Sequence, residues 1–240
     1  MRLSASSDTI VAGPAVFDRT GPTWRDWKQT KHLKHQSKEV AGDAIIDGDT
    51  LYVGHGNWDE EYDGDTIWGN GGFVVFKREG DSWKKSKAYR PMGATVHKDD
   101  NNWGNTLAFD GDTLVTTGEE RHYAYVLRRS GSEWKHEANL RVWPEEKADF
   151  GDGSDLALHN DTLFRSTPNQ NGGGIGSAVY VMRRSGSSWK KVGQIVANPS
   201  KTFDGFGQRI SLSEDGSTLA VTAQCRLSDC NDDAAYVFEA

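Results

Sequence analysis

AFDGDTLVTTGEERHYAYVLRRSGSEWK, residues 108–135, is the stretch that decides the fold. Ala108–Thr116 is an apolar run, an Asp-Gly-Asp turn, then Thr and a second apolar run. Asp-Gly between β-formers is a hairpin signal, because such turns need residues that tolerate positive φ. Tyr125–Lys135 runs from another strand through a polar turn with Gly to a Trp that opens a fourth. The stretch therefore predicts four short strands joined as successive hairpins, an antiparallel meander.

Both halves recur along the chain. The first hairpin returns as Ser4–Ala12 (SASSDTIVA), Ile45–Val53 (IIDGDTLYV), Ala157–Arg165 (ALHNDTLFR) and Ser211–Val221 (SLSEDGSTLAV). The second returns as Ala15–Arg25 (AVFDRTGPTWR), Val74–Lys84 (VVFKREGDSWK) and Tyr180–Lys190 (YVMRRSGSSWK). The fifth copy stops at Ala235–Ala240 (AYVFEA), before its Gly turn and Trp strand. A four-stranded unit in about fifty residues is the size of a propeller blade. The expectation is an all-β, five-bladed β-propeller of four-stranded antiparallel blades, the last blade three-stranded. It forms one domain, 1–240, with repeats at 1–38, 39–101, 102–148, 149–204 and 205–240. The tryptophans that align in four copies, Trp24, Trp83, Trp134 and Trp189, are expected to pack blade against blade.

Aromatic-Gly pairs precede the first strand at Trp103-Gly104, Phe150-Gly151 and Phe206-Gly207. Followed by DGDTLVV-like and AVYVF-like strands, they resemble the FG-GAP repeat family, which includes the propeller heads of integrin α-subunits. The turns Arg128–Trp134 and Arg183–Trp189 resemble its subgroup with an RRSGxxW turn. The resemblance implies a propeller used for recognition, extracellular or at a cell surface. It does not carry over the family's DxDxDG calcium loop, because the first turn of each copy is too short. Both ends fall inside a repeat, as in a domain excised from a longer chain or a minimal chain.

Composition narrows the partners. Of 240 residues only 35% are hydrophobic, whereas 27 are Gly and 9 are Trp, which suits short strands and turns. A net charge of −7 argues against nucleic acid as a general partner. No apolar run is long enough to insert in a membrane as a helix, and MRLSASSDTIVAG lacks the pattern of a signal peptide. Cys225 and Cys230 share one loop and suit either a local disulfide or two free thiols.

Repeated positions build scaffold, so ligand chemistry is expected where copies differ. The longest variable loop, Gly54–Gly72 (GHGNWDEEYDGDTIWGNGG), holds Asp59, Glu60, Glu61, Asp63 and Asp65 with Trp58, Tyr62 and Trp68. Aromatic faces stack on apolar pyranose faces while carboxylates accept hydroxyl protons. Trp58, Asp59, Tyr62, Asp63 and Trp68 are the expected contacts for a glycan or protein ligand in a lectin-like, carbohydrate-binding role. Closely spaced oxygen ligands around Gly suit Ca²⁺, with Asp59, Glu61, Asp63 and Asp65 as its set, although the spacing matches no EF-hand. A solvated acidic loop needing no cofactor is the plainer reading. Two alternatives remain. One is an enzyme with an acid–base or metal site at a channel mouth, using His55, His122 and Glu119; the other is a purely structural propeller of a larger protein.

Overall fold

The computed structural model of the chain describes residues 3–12, 14–23, 25–35, 38–39, 42–55, 60–62, 65–67, 71–89, 103–117, 123–141, 155–168, 177–197, 205–224 and 233–239. The fold is an all-β, five-bladed β-propeller. Blade one is β1 (Leu3–Ala5), β2 (Thr9–Ala12), β3 (Ala15–Arg19) and β4 (Trp27–His32); a small hairpin, β5 (Lys34–His35) and β6 (Lys38–Glu39), follows. Blade two is β7 (Ala44–Asp47), β8 (Thr50–His55), β11 (Gly72–Glu79) and β12 (Ser82–Tyr89). Within it lies a second small hairpin, β9 (Glu60–Tyr62) and β10 (Asp65–Ile67). Blade three is β13 (Thr106–Asp110), β14 (Thr113–Thr117), β15 (Tyr123–Ser130) and β16 (Glu133–Arg141). Blade four is β17 (Leu156–His159), β18 (Thr162–Thr167), β19 (Ala178–Ser185) and β20 (Ser188–Ile195). Blade five has three strands, β21 (Phe206–Leu212), β22 (Thr218–Ala223) and β23 (Ala234–Glu239). Among the described residues the blade strands are the nineteen that the repeats predict.

Turn chemistry explains the hairpins. Asp47 pairs with Thr50 across a two-residue turn whose first residue, Gly48, has φ 53°. In blade four Asn160, at φ 49°, fills that place and is the one non-glycine residue in the left-handed region among those described.

The chain divides into two compact units, Met1–Leu107 with Thr116–Glu119, and Ala108–Val115 with Glu120–Ala240; the division crosses blade three. In the first unit, Val11, Val16 and Leu33 of blade one share a core with Leu51, Val74 and Trp83 of blade two. In the second, Val126 and Leu140 of blade three share a core with Leu163, Tyr180 and Met182 of blade four, with Trp189 packed against it. A further core joins Val179 to Phe206, Ile210 and Val221 of blade five. Each core thus lies between two sheets. Trp83 is buried and Trp189 half-buried, each against a core between two sheets, whereas Trp134, nearly buried, packs against Phe109 of its own blade.

The register corrects one alignment. Arg19 pairs with Trp27 as Arg78 pairs with Trp83, so Trp27, not Trp24, is blade one's copy of the repeated Trp. A polar turn causes the shift: the Thr23 amide and hydroxyl both donate to the Asp26 carboxylate, at 2.8 and 2.7 Å, and the Thr20 amide donates to the Asp26 carbonyl.

Each fourth strand carries a β-bulge at one place, leaving Thr30, Ser86, Glu137 and Val192 as the extra residues. Bulges re-aim side chains. Glu137 uses this to accept Arg184 Nε and Nη2 of blade four, each at 2.9 Å, and Trp189 Nε1 at 3.3 Å. At the seam of blades one and two, Thr30 instead donates to Asp18, which also accepts Thr9 Oγ1 and Arg78 Nη2, both at 2.7 Å. Arg78 lies over the Trp83 ring and Arg129 over that of Trp134. Arg78 with Trp83, and Arg184 with Trp189, therefore fasten one sheet to the preceding one.

Candidate ligand-binding site

The Gly54–Gly72 loop leaves the end of β8 and returns at the start of β11, and both roots are gripped by one dipeptide. The Gly72 amide donates to the Trp103 carbonyl at 2.8 Å, and Gly71 forms a parallel bridge with Trp103. Gly104 stands at φ 90°, and a Cβ there would lie 2.0 Å from the Gly72 carbonyl oxygen and 2.8 Å from the His55 nitrogen. A Cβ on Gly54 would lie 1.9 Å from the Gly104 oxygen. Only glycine permits these backbones to touch. The aromatic-Gly pair of blade three is thus the brace of the blade-two loop, with Trp103 wholly buried beneath it.

A buried carboxylate completes the root. The Asp43 carbonyl accepts the Gly54 amide at 2.7 Å, and its Oδ2 accepts the Leu107 amide at 3.3 Å. Gly104 donates to Thr116 Oγ1 at 3.1 Å. His55, 5% exposed, occupies the last position of β8. It is the one member of the predicted acid–base set whose place is described; Glu119 and His122 lie outside the described residues.

Of the predicted ligand contacts, Trp58, Asp59, Asp63 and Trp68 also lie outside the described residues, as do Cys225 and Cys230. The backbone of Glu61, Tyr62 and Asp65 is described. It forms the β9–β10 hairpin, in which Asp65 stands across from Tyr62 and Thr66 across from Glu61. Among the described residues, no group of three or more His, Cys, Asp or Glu could hold a metal ion. Among them, too, no helix is long and apolar enough to cross a membrane.

Blade four repeats the same root with different chemistry. Phe206 is wholly buried, and Gly207, at φ 90°, leaves room for Ser166, whose Cβ a Gly207 Cβ would approach to 2.9 Å. Asp155 takes the part of Asp43: its Oδ2 accepts the Ile210 amide and its carbonyl the Ser166 amide, both at 2.9 Å. Burial pushes the Tyr180 hydroxyl up to about 12, against the hydrogen bond with Thr167 that acts to lower it. Tyr180 therefore stays protonated at neutral pH and is no general base there. Arg165 is fully buried where blades two, three and five place Val53, Thr116 and Val221. Asp43, Asp155 and Arg165 were not foreseen. Only Arg165 left a signal in the repeat alignment, as a charged residue where the other copies have Ala12, Val53, Thr116 and Val221.

No protein-family model and no curated protein matches the chain. Solved structures do. A protein from Lactobacillus plantarum is similar at TM-score 0.61 and 12% identity, over 99% of this chain and 69% of that one. A candidate 6-phosphogluconolactonase from Bacteroides uniformis is similar at TM-score 0.56 and 14% identity, over 96% of this chain and 60% of that one. A luciferin-regenerating enzyme is similar at TM-score 0.52 and 11% identity, over 99% and 75%. The chain thus spans about two thirds of these neighbours' length, and at such identities the likeness is one of fold.

Proposed function

We propose that the protein is a non-catalytic recognition module that binds a glycan or a protein partner at a cell surface through the Gly54–Gly72 loop, in the manner of the FG-GAP propellers its repeats resemble. The observation that supports it is the division of labour at the loop. Both roots are fixed by Trp103-Gly104 and Asp43, so a rigid scaffold presents the residues between them. Those residues include Trp58, Tyr62 and Trp68, which stand at no repeated packing position. Aromatic rings beside carboxylates suit the apolar and hydroxyl faces of a sugar. Ca²⁺ held by Asp59, Glu61, Asp63 and Asp65 would add a hydroxyl ligand site to the same loop.

A glycan array probed with and without EDTA tests this reading, followed by Trp58→Ala and Trp68→Ala separately. Saturable, sugar-competed binding that either substitution removes, with an unchanged circular dichroism spectrum, supports it. Loss of thermal stability with binding intact makes the loop structural and overturns it. A second reading, an enzyme, is favoured by His55, a buried imidazole at the root of the same loop. Two of the neighbours in fold are also named as enzymes. Turnover of a sugar lactone or glycoside that His55→Gln abolishes would decide for it.

A further inference from the structure

Of the eleven asparagines in the chain, Asn160 alone is followed two residues on by Ser or Thr without Pro between them: Asn160-Asp161-Thr162. Asn198-Pro199-Ser200 has the hydroxyl but is blocked by its proline. Asn-Xaa-Thr is the acceptor pattern for N-linked glycosylation, which takes place on exposed segments of secreted chains. The Thr is scaffold, recurring as Thr9, Thr50, Thr113 and Thr218 at the head of each second strand. The Asn is not. Blades two and three have Gly48 and Gly111 in its place, and only the exchange of Gly for Asn turns the repeat's Asp-Thr into an acceptor.

The structure puts this acceptor where a large substituent fits. Asn160 stands in the two-residue turn between β17 and β18, and both it and Asp161 are exposed. Neighbouring blades fix the turn from both sides. The Asn160 backbone amide donates to Asp110 in the matching turn of blade three. The His159 ring lies against Gly216 in that of blade five, where a Cβ would collide with it. Asn160 Nδ2 is 2.8 Å from His159 Nε2. With Nε2 as acceptor, that contact uses one amide hydrogen, and a sugar on Nδ2 replaces the other. The Ser166–Ser177 loop leaves the opposite end of β18, so the substituent stands away from it.

We propose that Asn160 is the acceptor of an N-linked oligosaccharide, an inference that rests on the reading of the protein as a cell-surface module. The donor is an oligosaccharide carried on a lipid diphosphate. Nδ2 bonds to C1 of the sugar, the bond from C1 to the diphosphate oxygen breaks, the lipid diphosphate leaves, and Nδ2 gives up one proton. The Thr162 hydroxyl marks the acceptor for the transferase. The attached oligosaccharide covers the turn end of blade four and leaves its loop end open.

The test carries the full 240-residue chain behind a cleavable leader into the secretory pathway of cultured animal cells. Mass spectrometry is expected to show added mass that peptide N-glycosidase removes, converting Asn160 to Asp in the tryptic peptide. Thr162→Ala should abolish the added mass and Thr162→Ser should retain it, with circular dichroism reporting the fold of each. Chain retained in the cells is read in the same way from the microsomal fraction. A chain whose Asn160 stays unmodified overturns the proposal, and so does added mass that survives Thr162→Ala. Glycan-array binding by the same chain, before and after the glycosidase, is scored separately. Its absence counts against the recognition reading, while sugar at Asn160 is decided by mass alone.

Discussion

Removing Glu137 tests whether the seams between blades are held by the bulge-borne fastener. Its carboxylate receives two hydrogen bonds from Arg184 at 2.9 Å and one from Trp189 at 3.3 Å, and Arg128 Nε lies 3.8 Å away. The Glu137 and Arg184 side chains are only 13% and 16% exposed. An exposed pair would contribute about 0–1 kcal/mol, and breaking a buried one costs about 3–5 kcal/mol because the survivor is left uncompensated. With so little exposure, Glu137→Ala should cost about 3 kcal/mol. The hydrogen bond with Glu137 also holds the Arg184 guanidinium charged, above its ordinary range. A double-mutant cycle with Arg184→Ala should give a coupling of about 2 kcal/mol. Urea unfolding at neutral pH followed by tryptophan fluorescence measures all three variants. Lys84–Glu79, with side chains 63% and 56% exposed, is the control and should yield almost nothing. A Glu137→Ala cost below about 1 kcal/mol, or a coupling no larger than the control, refutes the reasoning.

Gly104→Ala should prevent stable folding or cost more than about 3 kcal/mol, since its methyl group meets the Gly72 carbonyl. Gly48→Ala, with nothing within 4 Å of its Cβ, should cost only about 1 kcal/mol for its φ of 53°; thermal melts of the two separate crowding from backbone strain. Trp83→Ala should cost about 3–5 kcal/mol by urea titration, because Trp83 fills the core between blades one and two. Burial acts to raise the pKa of Asp18, but hydrogen bonds from Thr30, Thr9 and Arg78, with the Arg78 charge, outweigh it and hold the group below its ordinary 3.8. Its contribution is therefore complete above about pH 5 and is lost as pH falls through the lowered value. Asp18→Asn should flatten the fall of the urea midpoint between about pH 5 and pH 3.

The blades were legible because their determinants are local. A two-residue turn with a left-handed residue, such as Gly48 or Asn160, leaves its mark within four residues, so such hairpins announced themselves. The misplaced Trp24 shows where local reading fails. Gly21-Pro22-Thr23-Trp24 matches the spacing of Gly80-Asp81-Ser82-Trp83, yet the Asp26 carboxylate closes a wider turn and carries the strand on to Trp27. Asp43 and Asp155 were invisible for a different reason. Each bonds a backbone amide of the next blade, Leu107 and Ile210, more than fifty residues away, and a main-chain partner leaves no side-chain signature. Charge patterning carries no sign of Glu137's role either. Glu137 reads as one more surface acid in a polar outer strand, until the bulge opposite Leu127 is seen to aim it into the seam.

The roots of the variable loops sharpen what a ligand site on this scaffold must be. Trp103-Gly104 and Asp43 in blade two correspond to Phe206-Gly207 and Asp155 in blade four, down to the carbonyl that accepts the amide at the end of the second strand. The brace is therefore a property of the repeat, and neither its glycine nor its aspartate can encode which ligand is bound. In the proposed recognition role, specificity would rest on what each loop adds above that common base: acids and aromatics between Gly54 and Gly72, glycine and amides between Ser166 and Ser177. Positions that alter the brace will change stability and binding together, whereas positions within the loop can change binding alone. That separation follows from geometry. At Gly54 and Gly104 the backbones of adjacent blades lie closer than a methyl group allows, so no substitution there can be confined to the loop.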